Sequence, residues 1–280
     1  EDLIYVGTDD GLIQVTEDAA TWRKTEKFPG VPEYTYVSDI HTSKHNANVV
    51  FASFDNRKRD DFKPYLLKST DKGKSWESIA GDLPEDETVH TVVQDHVNPD
   101  ILFAGTEFGA YVTLNGGEHW TQLKSGIPTI SVRDMVIQEE ENALALATFG
   151  RGFYILDDYS PLREISNEVM EKEAHIFEIP EALMFTEKGN KYGQGSTEFL
   201  GTNPEFGAAI TYYLGDSPKT LKQRRKSKEK EIDPKEERIP MPEQSRLRDE
   251  DFESKPHLIF DISDAEGNHV RRLTKAASKG

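Results

Sequence analysis

The sequence predicts an all-β fold: a partial β-propeller of three to four four-stranded blades, followed by a short helix and an incomplete β-sandwich. Three observations predict it. Residues 1–160 repeat a unit of roughly 43 to 54 residues, the size of one propeller blade. Within each unit, short runs alternate apolar and polar residues, with β-branched and aromatic residues at the apolar positions. A hairpin motif that ends in tryptophan recurs near the end of the units.

The repeat is clearest in pairs of strands that align without a gap. The aligned segments are residues 37–53, 89–106 and 132–148, and the last two continue through a glycine, Gly109 or Gly152, into a further strand. The opening run 4–8 matches the second strand of the same unit. Repeated helix pairs are the alternative for such a period, but the 3.6-residue periodicity of a helix is absent. The units therefore predict antiparallel blades.

The hairpin motif, S-x-D-x-G-x-x-W, predicts a tight turn between the two outer strands of a blade. A short Asp or Asn side chain accepts hydrogen bonds from its own turn, Gly supplies a positive φ, and Trp covers the turn with apolar surface. A catalytic or metal-binding carboxylate is the alternative, but we expect a structural role because the motif lies away from the central channel. The motif residues are Ser69, Asp71, Gly73 and Trp76 in the full copy, Thr113, Asn115, Gly117 and Trp120 in the second, and Asp18 and Trp22 in a shortened copy.

These motifs resemble the Asp-boxes of BNR propellers of the sortilin or vacuolar-sorting-receptor type. The likeness is greatest to large bacterial proteins labelled glycosyl hydrolases, because residues 147–158 and 160–163 are similar to the segment that closes the propeller in that group. The resemblance covers about residues 1–180, and more loosely the rest. It implies more blades than three or four, which cannot close a ring. We therefore expect the C-terminal part of the propeller of a larger, exported bacterial protein, with the remaining blades as its partner. Assembly with another copy of the chain is the alternative.

The composition divides the chain into three parts. The propeller part is followed by a linker-rich part, in which Ser160 and Pro161 predict the start of a short helix as its N-cap and first-turn residues. A β module comes last. The predicted boundaries are 1–160 for the blades, 161–204 for helix, strand and linker, and 205–280 for the β module.

The β module is identified by two strand-like runs, 207–214 and 257–262, and a turn into a third run. These resemble the start of the immunoglobulin-like modules that follow propellers in the same bacterial proteins. Residues 216–255 between them are dense in Lys, Arg, Glu and Pro. Such a segment buries too little apolar surface to offset the entropy of ordering, so we expect a disordered insertion. Its basic run leaves open an anion or sulfated-polysaccharide patch.

Ligand contacts are expected on the innermost strand of each blade, which lines the central channel of a propeller. The position after the first valine of each unit is polar but differs between units: Ser38, His90 and Arg133. Such variation indicates that the fold does not require a particular residue type at this position. Arg133 can pair with a ligand carboxylate, as can Arg151 on a Gly-Arg-Gly turn. Solvated strand-end residues are the alternative for all four positions.

The composition excludes several classes of function. A net charge of −17 repels nucleic acid and anionic membranes, and the absence of Cys excludes disulfides, Cys-ligated zinc and a thiol nucleophile. No apolar run reaches the roughly 18 residues of a membrane span. His41 and His45 lie in a strand and its turn, where a spacing of four does not suit a shared metal. We expect no metal and no cofactor.

Two functions remain, with a purely structural segment of a surface protein as a third. The first is a ligand-binding module for a peptide or a glycan, in the extracytoplasmic setting that the resemblance favours. The second is a glycoside hydrolase of the Asp-box propeller type, whose catalytic carboxylates lie mostly on blades outside this sequence. Asp39, Asp95 and Asp134 lie near inner strands, but among 51 acidic residues such placements are expected by chance.

Overall fold

Two structural units make up the chain, Glu1–Arg163 and Glu164–Gly280, and each is described by itself. The computed structural model describes residues 3–182, 184, 206–232 and 241–277. The linker predicted over 188–204 lies outside these residues. No helix within the described ranges is long and apolar enough to span a bilayer.

Four antiparallel sheets form the first unit, and the strands of each follow one another in chain order. We call them blades 1 to 4. Blades 2 and 3 have four strands, whereas blades 1 and 4 have three. This is the predicted partial β-propeller. The strands are β1 (Ile4–Gly7), β2 (Ile13–Thr16) and β3 (Arg23–Thr25) in blade 1; β4 (Tyr36–Thr42), β5 (Val50–Asn56), β6 (Asp61–Ser69) and β7 (Glu77–Ser78) in blade 2; β8 (Val89–Gln94), β9 (Leu102–Thr106), β10 (Gly109–Thr113) and β11 (Thr121–Gln122) in blade 3; β12 (Val132–Gln138), β13 (Ala143–Thr148) and β14 (Phe153–Leu156) in blade 4.

Neighbouring blades pack face to face through three apolar clusters. Successive side chains of a strand point to opposite faces, so the strands of blades 2 and 3 present apolar residues on both sides. In β9, for example, Leu102 faces blade 2 while Phe103 faces blade 4. The clusters join blades 1 and 2 through Ile13, Val15, Val37 and Phe54, blades 2 and 3 through Phe51, Leu66, Val92 and Leu102, and blades 3 and 4 through Phe103, Val112, Met135 and Leu144.

The first two strands of blades 2, 3 and 4 share a break in register. In each blade one residue of the first strand has no partner on the second, which defines a β-bulge. The hairpin of blade 4 is one residue shorter than the other two, so the gap-free alignment of the third repeat is wrong beyond its turn: Ala145, and not Leu146, corresponds to Phe51 and Phe103. The register pairs that flank the bulges are Val37–Phe54 and Asp39–Ser53, Val89–Thr106 and Thr91–Gly105, and Val132–Thr148 and Asp134–Ala147.

The turns of the S-x-D-x-G-x-x-W motif lie between the third and fourth strands of blades 2 and 3. In blade 2, the Asp71 carboxylate accepts hydrogen bonds from the N–H groups of Lys74 (3.0 Å) and Ser75 (2.8 Å). The Ser69 hydroxyl accepts one from Gly73 N–H (2.8 Å), and Gly73 has a φ of 72°. The Ser75 hydroxyl and backbone donors hold the pKa of Asp71 well below its ordinary value.

The other two copies form related bonds. In blade 3, Asn115 Oδ1 accepts a hydrogen bond from His119 N–H, and the Thr113 hydroxyl accepts one from Gly117 N–H, both at 3.0 Å. In the shortened copy, Asp18 accepts hydrogen bonds from the N–H groups two and three residues further on, at 2.9 and 2.7 Å. Side-chain oxygens at equivalent positions thus satisfy the backbone donors of each turn.

The tryptophans of these turns differ in burial. Trp120 is 7% exposed, and its Nε1–H donates a hydrogen bond to the Ile79 carbonyl of blade 2 at 3.0 Å. The ring of Trp76 lies edge-on to that of Phe28, with 5.7 Å between centroids. Trp22 is 46% exposed. Trp120 therefore fills the junction between blades 2 and 3, whereas Trp22 lies largely at the surface.

The second unit contains two two-stranded sheets and three helices in its described residues. The run predicted at 207–214 supplies one short strand, which pairs with a strand before the linker. The run predicted at 257–262 and the turn after it form a β-hairpin. The elements are α1 (Asn167–Met170), β15 (Ala174–Ile176), β16 (Tyr212–Leu214), α2 (Leu221–Glu231), α3 (Gln244–Phe252), β17 (His257–Ser263) and β18 (His269–Ala276), and the pairs are β15–β16 and β17–β18.

The short helix begins later than the sequence predicted. Ser160 and Pro161 lie in a 3-10 turn, Ser160–Arg163, at the end of the first unit. The N-cap of α1 is Ser166, whose hydroxyl accepts a hydrogen bond from Val169 N–H at 3.3 Å.

The predicted disorder of 216–255 is wrong for two stretches, because α2 and α3 lie within this segment. Thr220 begins α2 with a capping box: its hydroxyl accepts a hydrogen bond from Gln223 N–H (3.1 Å), and the Gln223 side chain accepts one from Thr220 N–H (2.9 Å). Arg225 of α2 binds both carboxylate oxygens of Glu250 on α3, at 2.6 and 2.7 Å. The cap of α2 and the ion pair between α2 and α3, rather than apolar burial, stabilise these helices.

We expect Trp120→Ala to lower the free energy of unfolding by about 3–5 kcal/mol, because it opens a cavity between blades 2 and 3 and leaves the Ile79 carbonyl without its donor. Trp22→Ala is the matched control and is expected to cost less than about 1 kcal/mol. Urea denaturation followed by circular dichroism measures both. Equal costs for the two variants would contradict the packing of blade 3 on blade 2.

Candidate functional site

The three bulges hold the residues that the alignment singled out on the inner strands. Ser38, His90 and Arg133 are each the extra residue where the register shifts in blades 2, 3 and 4. A bulge takes the side chain of its extra residue out of the regular alternation of the strand. The same backbone geometry therefore recurs on three successive blades and carries three different polar side chains.

His90 and Arg133 join a group of charged residues at whose centre Glu107 lies. Its Oε2 accepts a hydrogen bond from His90 Nε2–H at 2.9 Å and one from Arg57, and lies 3.6 Å from Arg133 Nη2. Asp55 accepts hydrogen bonds from Arg57 Nε with both carboxylate oxygens, at 3.1 Å each. We call Asp55, Arg57, His90, Glu107 and Arg133 the charged cluster.

His90 is the most buried member of the charged cluster, with a side chain only 4% exposed. Burial lowers its pKa; the bond to Glu107 opposes that effect, and the positive charges of Arg133 and Arg57 add to it. The imidazole is therefore neutral at neutral pH. Its proton lies on Nε2, facing Glu107, which leaves Nδ1 to accept from Arg133 Nη1–H at 3.5 Å.

Arg133 is held less tightly than Arg57. Its contacts with His90 and Glu107 are long, at 3.5 and 3.6 Å, and its buried Nε–H meets no acceptor within the described part of the chain. The guanidinium carbon lies 5.4 Å from the ring centroid of Phe149, a side chain that is 72% exposed. A guanidinium with spare donors beside an exposed aromatic ring can bind a carboxylate or a hydroxyl-rich sugar.

The other two predicted ligand-binding residues lie apart from the charged cluster. The Ser38 hydroxyl is 2.8 Å from that of Ser53 and donates a hydrogen bond to the Val89 carbonyl at 3.1 Å, so it links blade 2 to blade 3. Arg151 lies in the exposed turn between β13 and β14. The structure thus brings together two of the four predicted residues.

Sequence analysis did not single out Asp55, Arg57 or Glu107, because the alignment of inner strands leaves out the ends of the second strands. A signal was nevertheless present. Asp55 lies at the end of β5, and Asp9 and Glu107 lie in the turns that follow β1 and β9, the strands of blades 1 and 3 that correspond to β5. Phe149 occupies that place in blade 4.

Two of the carboxylates considered for a hydrolase have backbone partners. Asp39 Oδ2 accepts hydrogen bonds from the Thr91 hydroxyl (2.9 Å) and from Val92 N–H (3.0 Å), which joins the inner strands of blades 2 and 3. Asp134 is exposed, and its Oδ1 accepts a hydrogen bond from Met135 N–H at 2.8 Å. Asp39 therefore contributes to blade packing.

The third of these carboxylates, Asp95, is fully buried and anchors the segment that follows blade 4. Arg163 binds its two oxygens at 2.9 and 2.6 Å, and the Tyr159 hydroxyl donates to it at 2.6 Å. Burial opposes ionisation of Asp95, but the hydrogen bonds from Arg163, Tyr159 and Asn98 N–H outweigh it and lower its pKa to about 2. The carboxylate is thus ionised and fully paired, as in a structural ion pair.

Among the residues that the structure describes, no group of three or more His, Asp and Glu is arranged to hold a metal ion. His41 Nε2 accepts a hydrogen bond from Gln94 N–H at 3.2 Å. His45 Nε2 lies 2.7 Å from the carbonyl oxygen of Asp95. The two histidines therefore have separate backbone partners.

Several solved structures are similar to part of this chain. An ancestral GH74 enzyme is 22% identical, with a TM-score of 0.42, over 52% of this chain and 20% of its own. The GH74 enzyme of Niastella koreensis is 23% identical, with a TM-score of 0.44, over 56% of this chain and 26% of its own. YCF48 bound to the D1 peptide is 14% identical, with a TM-score of 0.43, over 56% and 48%. The chain thus spans between a fifth and about half of these structures. No family model and no curated protein matches the sequence.

The pKa of His90 is expected to move in opposite directions when its two charged neighbours are replaced. Glu107→Gln removes a negative charge that favours the imidazolium, so the pKa of His90 falls. Arg133→Met removes a positive charge that disfavours it, so the pKa rises. Titration of the His90 ring protons by NMR measures both shifts against the parent protein. A pKa that moves in the same direction in both variants would contradict the geometry of the charged cluster.

Asp95 is expected to make folding sensitive to acid. Its pKa of about 2 in the folded protein lies below the value of about 3.9 in an unfolded chain, so its contribution is fully present above about pH 4 and is lost as the pH falls towards 2. Between pH 4 and 2, the free energy of unfolding should fall by about 2 kcal/mol more in the parent protein than in Asp95→Asn. Urea denaturation at several pH values measures this difference, and parallel profiles would contradict it.

Proposed function

We propose that the first unit is the ligand-binding part of a β-propeller and that it binds a peptide or a glycan through Arg133 and its neighbours in the charged cluster. The observation that carries this proposal is the row of bulges at Ser38, His90 and Arg133. The bulges fix where these side chains lie, while the sheet leaves their chemical type free. Side chains that the backbone holds in place, and whose residue type is free to vary, are suited to binding a ligand.

The chemistry of the charged cluster favours a ligand that carries a carboxylate. Arg133 has N–H donors to spare, and a guanidinium binds a carboxylate through two parallel hydrogen bonds. Glu107 is already shared between His90 and Arg57, so it does not fully neutralise Arg133. Phe149 adds apolar surface next to the guanidinium. An acidic sugar or a peptide carboxylate fits this site, whereas a polyanion is disfavoured by the net charge of −17.

We further propose that the blades belong to a larger Asp-box propeller of the sortilin type, in an extracytoplasmic setting, with the second unit as its immunoglobulin-like accessory module. The hydrogen-bonded turns at Asp71 and Asn115 support the Asp-box assignment. The outer face of blade 4 supports the presence of further blades: Val136, Phe153 and Ile155 are 62%, 78% and 62% exposed. An apolar face of this kind is covered in a completed propeller.

A glycoside hydrolase remains the alternative, with its catalytic carboxylates on blades outside this sequence. The described residues favour it less, because Asp39 and Asp95 are engaged in packing and in an ion pair. Hydrolysis of chromogenic glycosides by the longest available form of the protein, lost on replacement of one channel Asp or Glu, would decide for it.

Peptide and glycan arrays, followed by calorimetry on the hits, test the binding function. Arg133→Ala is expected to weaken the binding of a carboxylate-bearing hit by about tenfold or more, because it removes a two-bond contact. Lys74→Ala, which removes an exposed positive charge from the motif turn of blade 2, is the matched control and should leave the affinity unchanged. Equal effects of the two substitutions, or none from Arg133→Ala, would overturn the proposed site.

A further inference from the structure

An open apolar groove lies between blade 3 and the outer edge of blade 4, and it shares no residue with the charged cluster. Its volume is about 290 Å³. The segment that follows β11 forms one wall, and β13 and β14 form the other. The apolar lining includes Leu123, Ile127, Leu144, Leu146, Tyr154 and Leu156.

The corresponding space between blades 2 and 3 is filled by Trp120. Tyr111 is the counterpart of Tyr154, because each is the third-strand residue that lies opposite the same position of the second strand, Ala104 or Leu146. The residues that enclose Trp120 occupy the same places as the lining of the groove: Ile79, Leu83, Leu102, Ala104 and Tyr111.

The walls formed by the fourth strands also correspond. Ile79 N–H donates a hydrogen bond to the Leu66 carbonyl of the third strand in blade 2, and Leu123 N–H donates one to the Ala110 carbonyl in blade 3, both at 2.9 Å. Ile79 therefore has the same position next to Trp120 that Leu123 has next to the groove.

The junction between blades 1 and 2 is filled in a similar way. Trp76 packs against the cluster that contains Phe28, Ala52 and Leu67. Two of the three junctions thus hold a tryptophan from the turn between the third and fourth strands of the later blade. Blade 4 has no fourth strand in the described part of the chain, and its junction with blade 3 is the one that contains the groove.

The outer edge of β14 has backbone groups that face no strand among the described residues. In blades 2 and 3 the third strand pairs with a two-residue fourth strand, Glu77–Ser78 or Thr121–Gln122. Phe153 is the counterpart of Ala110. The Ala110 carbonyl accepts a hydrogen bond from Leu123 N–H, on the side of the fourth strand. Because the backbone groups of a strand alternate between its two sides, Phe153 and Ile155 present theirs at the open edge.

The residues directly after β14 are held elsewhere. Tyr159 N–H donates a hydrogen bond to the Asn142 carbonyl at 3.0 Å, and Tyr159 and Arg163 both bind Asp95 of blade 3. In blades 2 and 3, by contrast, the residues after the third strand turn back to form the fourth. A fourth strand for blade 4 must therefore come from another segment.

We propose that this groove is a docking site for an extended peptide of a partner protein, which adds to the edge of β14 as a fourth strand. The two junctions that hold a tryptophan indicate which peptide sequence fits the groove. The chain has Trp76-Glu-Ser-Ile79 and Trp120-Thr-Gln-Leu123, so the motif is an aromatic residue followed three positions later by an aliphatic one. Backbone pairing with β14 supplies affinity, and the aromatic side chain in the groove supplies specificity.

The probe is a capped heptapeptide with the sequence of residues 117–123, Gly-Glu-His-Trp-Thr-Gln-Leu. Calorimetry on the whole chain is expected to show saturable binding at one site, and hydrogen exchange is expected to slow at the amides of Phe153 and Ile155. A second heptapeptide that carries the Trp120→Ala substitution should bind at least about tenfold more weakly, because it leaves the groove empty. This comparison does not depend on the folding of any protein variant.

A protein variant locates the site. Leu123→Arg places a charge in the groove wall and is expected to weaken binding of the heptapeptide by about tenfold or more. Val97→Arg makes a similar change at an exposed loop position of blade 3 and should leave binding unchanged; thermal unfolding shows that both variants fold. Three outcomes would overturn the proposal: no saturable binding, equal binding of the peptide without Trp, or amides of β14 that are already protected in the free protein.

Discussion

The burial of each blade against its neighbours is the constraint on which the rest of the structure depends. A sheet of three or four strands that has two apolar faces is not stable alone in water and must cover both. In blade 3, Leu102 and Phe103 are adjacent in sequence and enter two different apolar clusters. This packing sets the inner strands of blades 2, 3 and 4 side by side. His90 and Arg133, the bulged residues of blades 3 and 4, become neighbours only because the blades are packed in this order.

The charged cluster is a product of that packing, because three blades contribute to it. Blade 2 supplies Asp55 and Arg57, blade 3 supplies His90 and Glu107, and blade 4 supplies Arg133. Charges that are partly buried are costly unless they are paired, and here two carboxylates face two guanidinium groups around a neutral imidazole. The pairing is complete on the side of Arg57 and incomplete on the side of Arg133. Among the described residues of the cluster, Arg133 is therefore the cation with a buried donor that has no acceptor.

The sequence predicts the blades well, because alternation of side chains and turn chemistry are local properties. In the motif turn at Asp71, side chains of the turn accept hydrogen bonds from the backbone N–H groups of the same turn. The links between blades are not local: Arg57 and Glu107 lie 50 residues apart, and Asp95 and Arg163 lie 68 apart. No pattern in a single sequence specifies such pairs. The helix after Thr220 is a different case, since Thr and Gln three positions apart are a recognisable capping box. The high density of charged residues in 216–255 led to the prediction of disorder instead.

Contact between the inner strands of blades 2 and 3 is the central claim, and a double-mutant cycle on Asp39 and Thr91 tests it most directly. Their side chains lie 2.9 Å apart across the junction. Urea denaturation of the parent protein, Asp39→Ala, Thr91→Val and the double variant gives their interaction free energy. A coupling of about 0.5 kcal/mol or more is expected for two residues that share a partly buried hydrogen bond. Strictly additive effects would show that the two inner strands are not in contact, and both the charged cluster and the order of the blades would then be wrong.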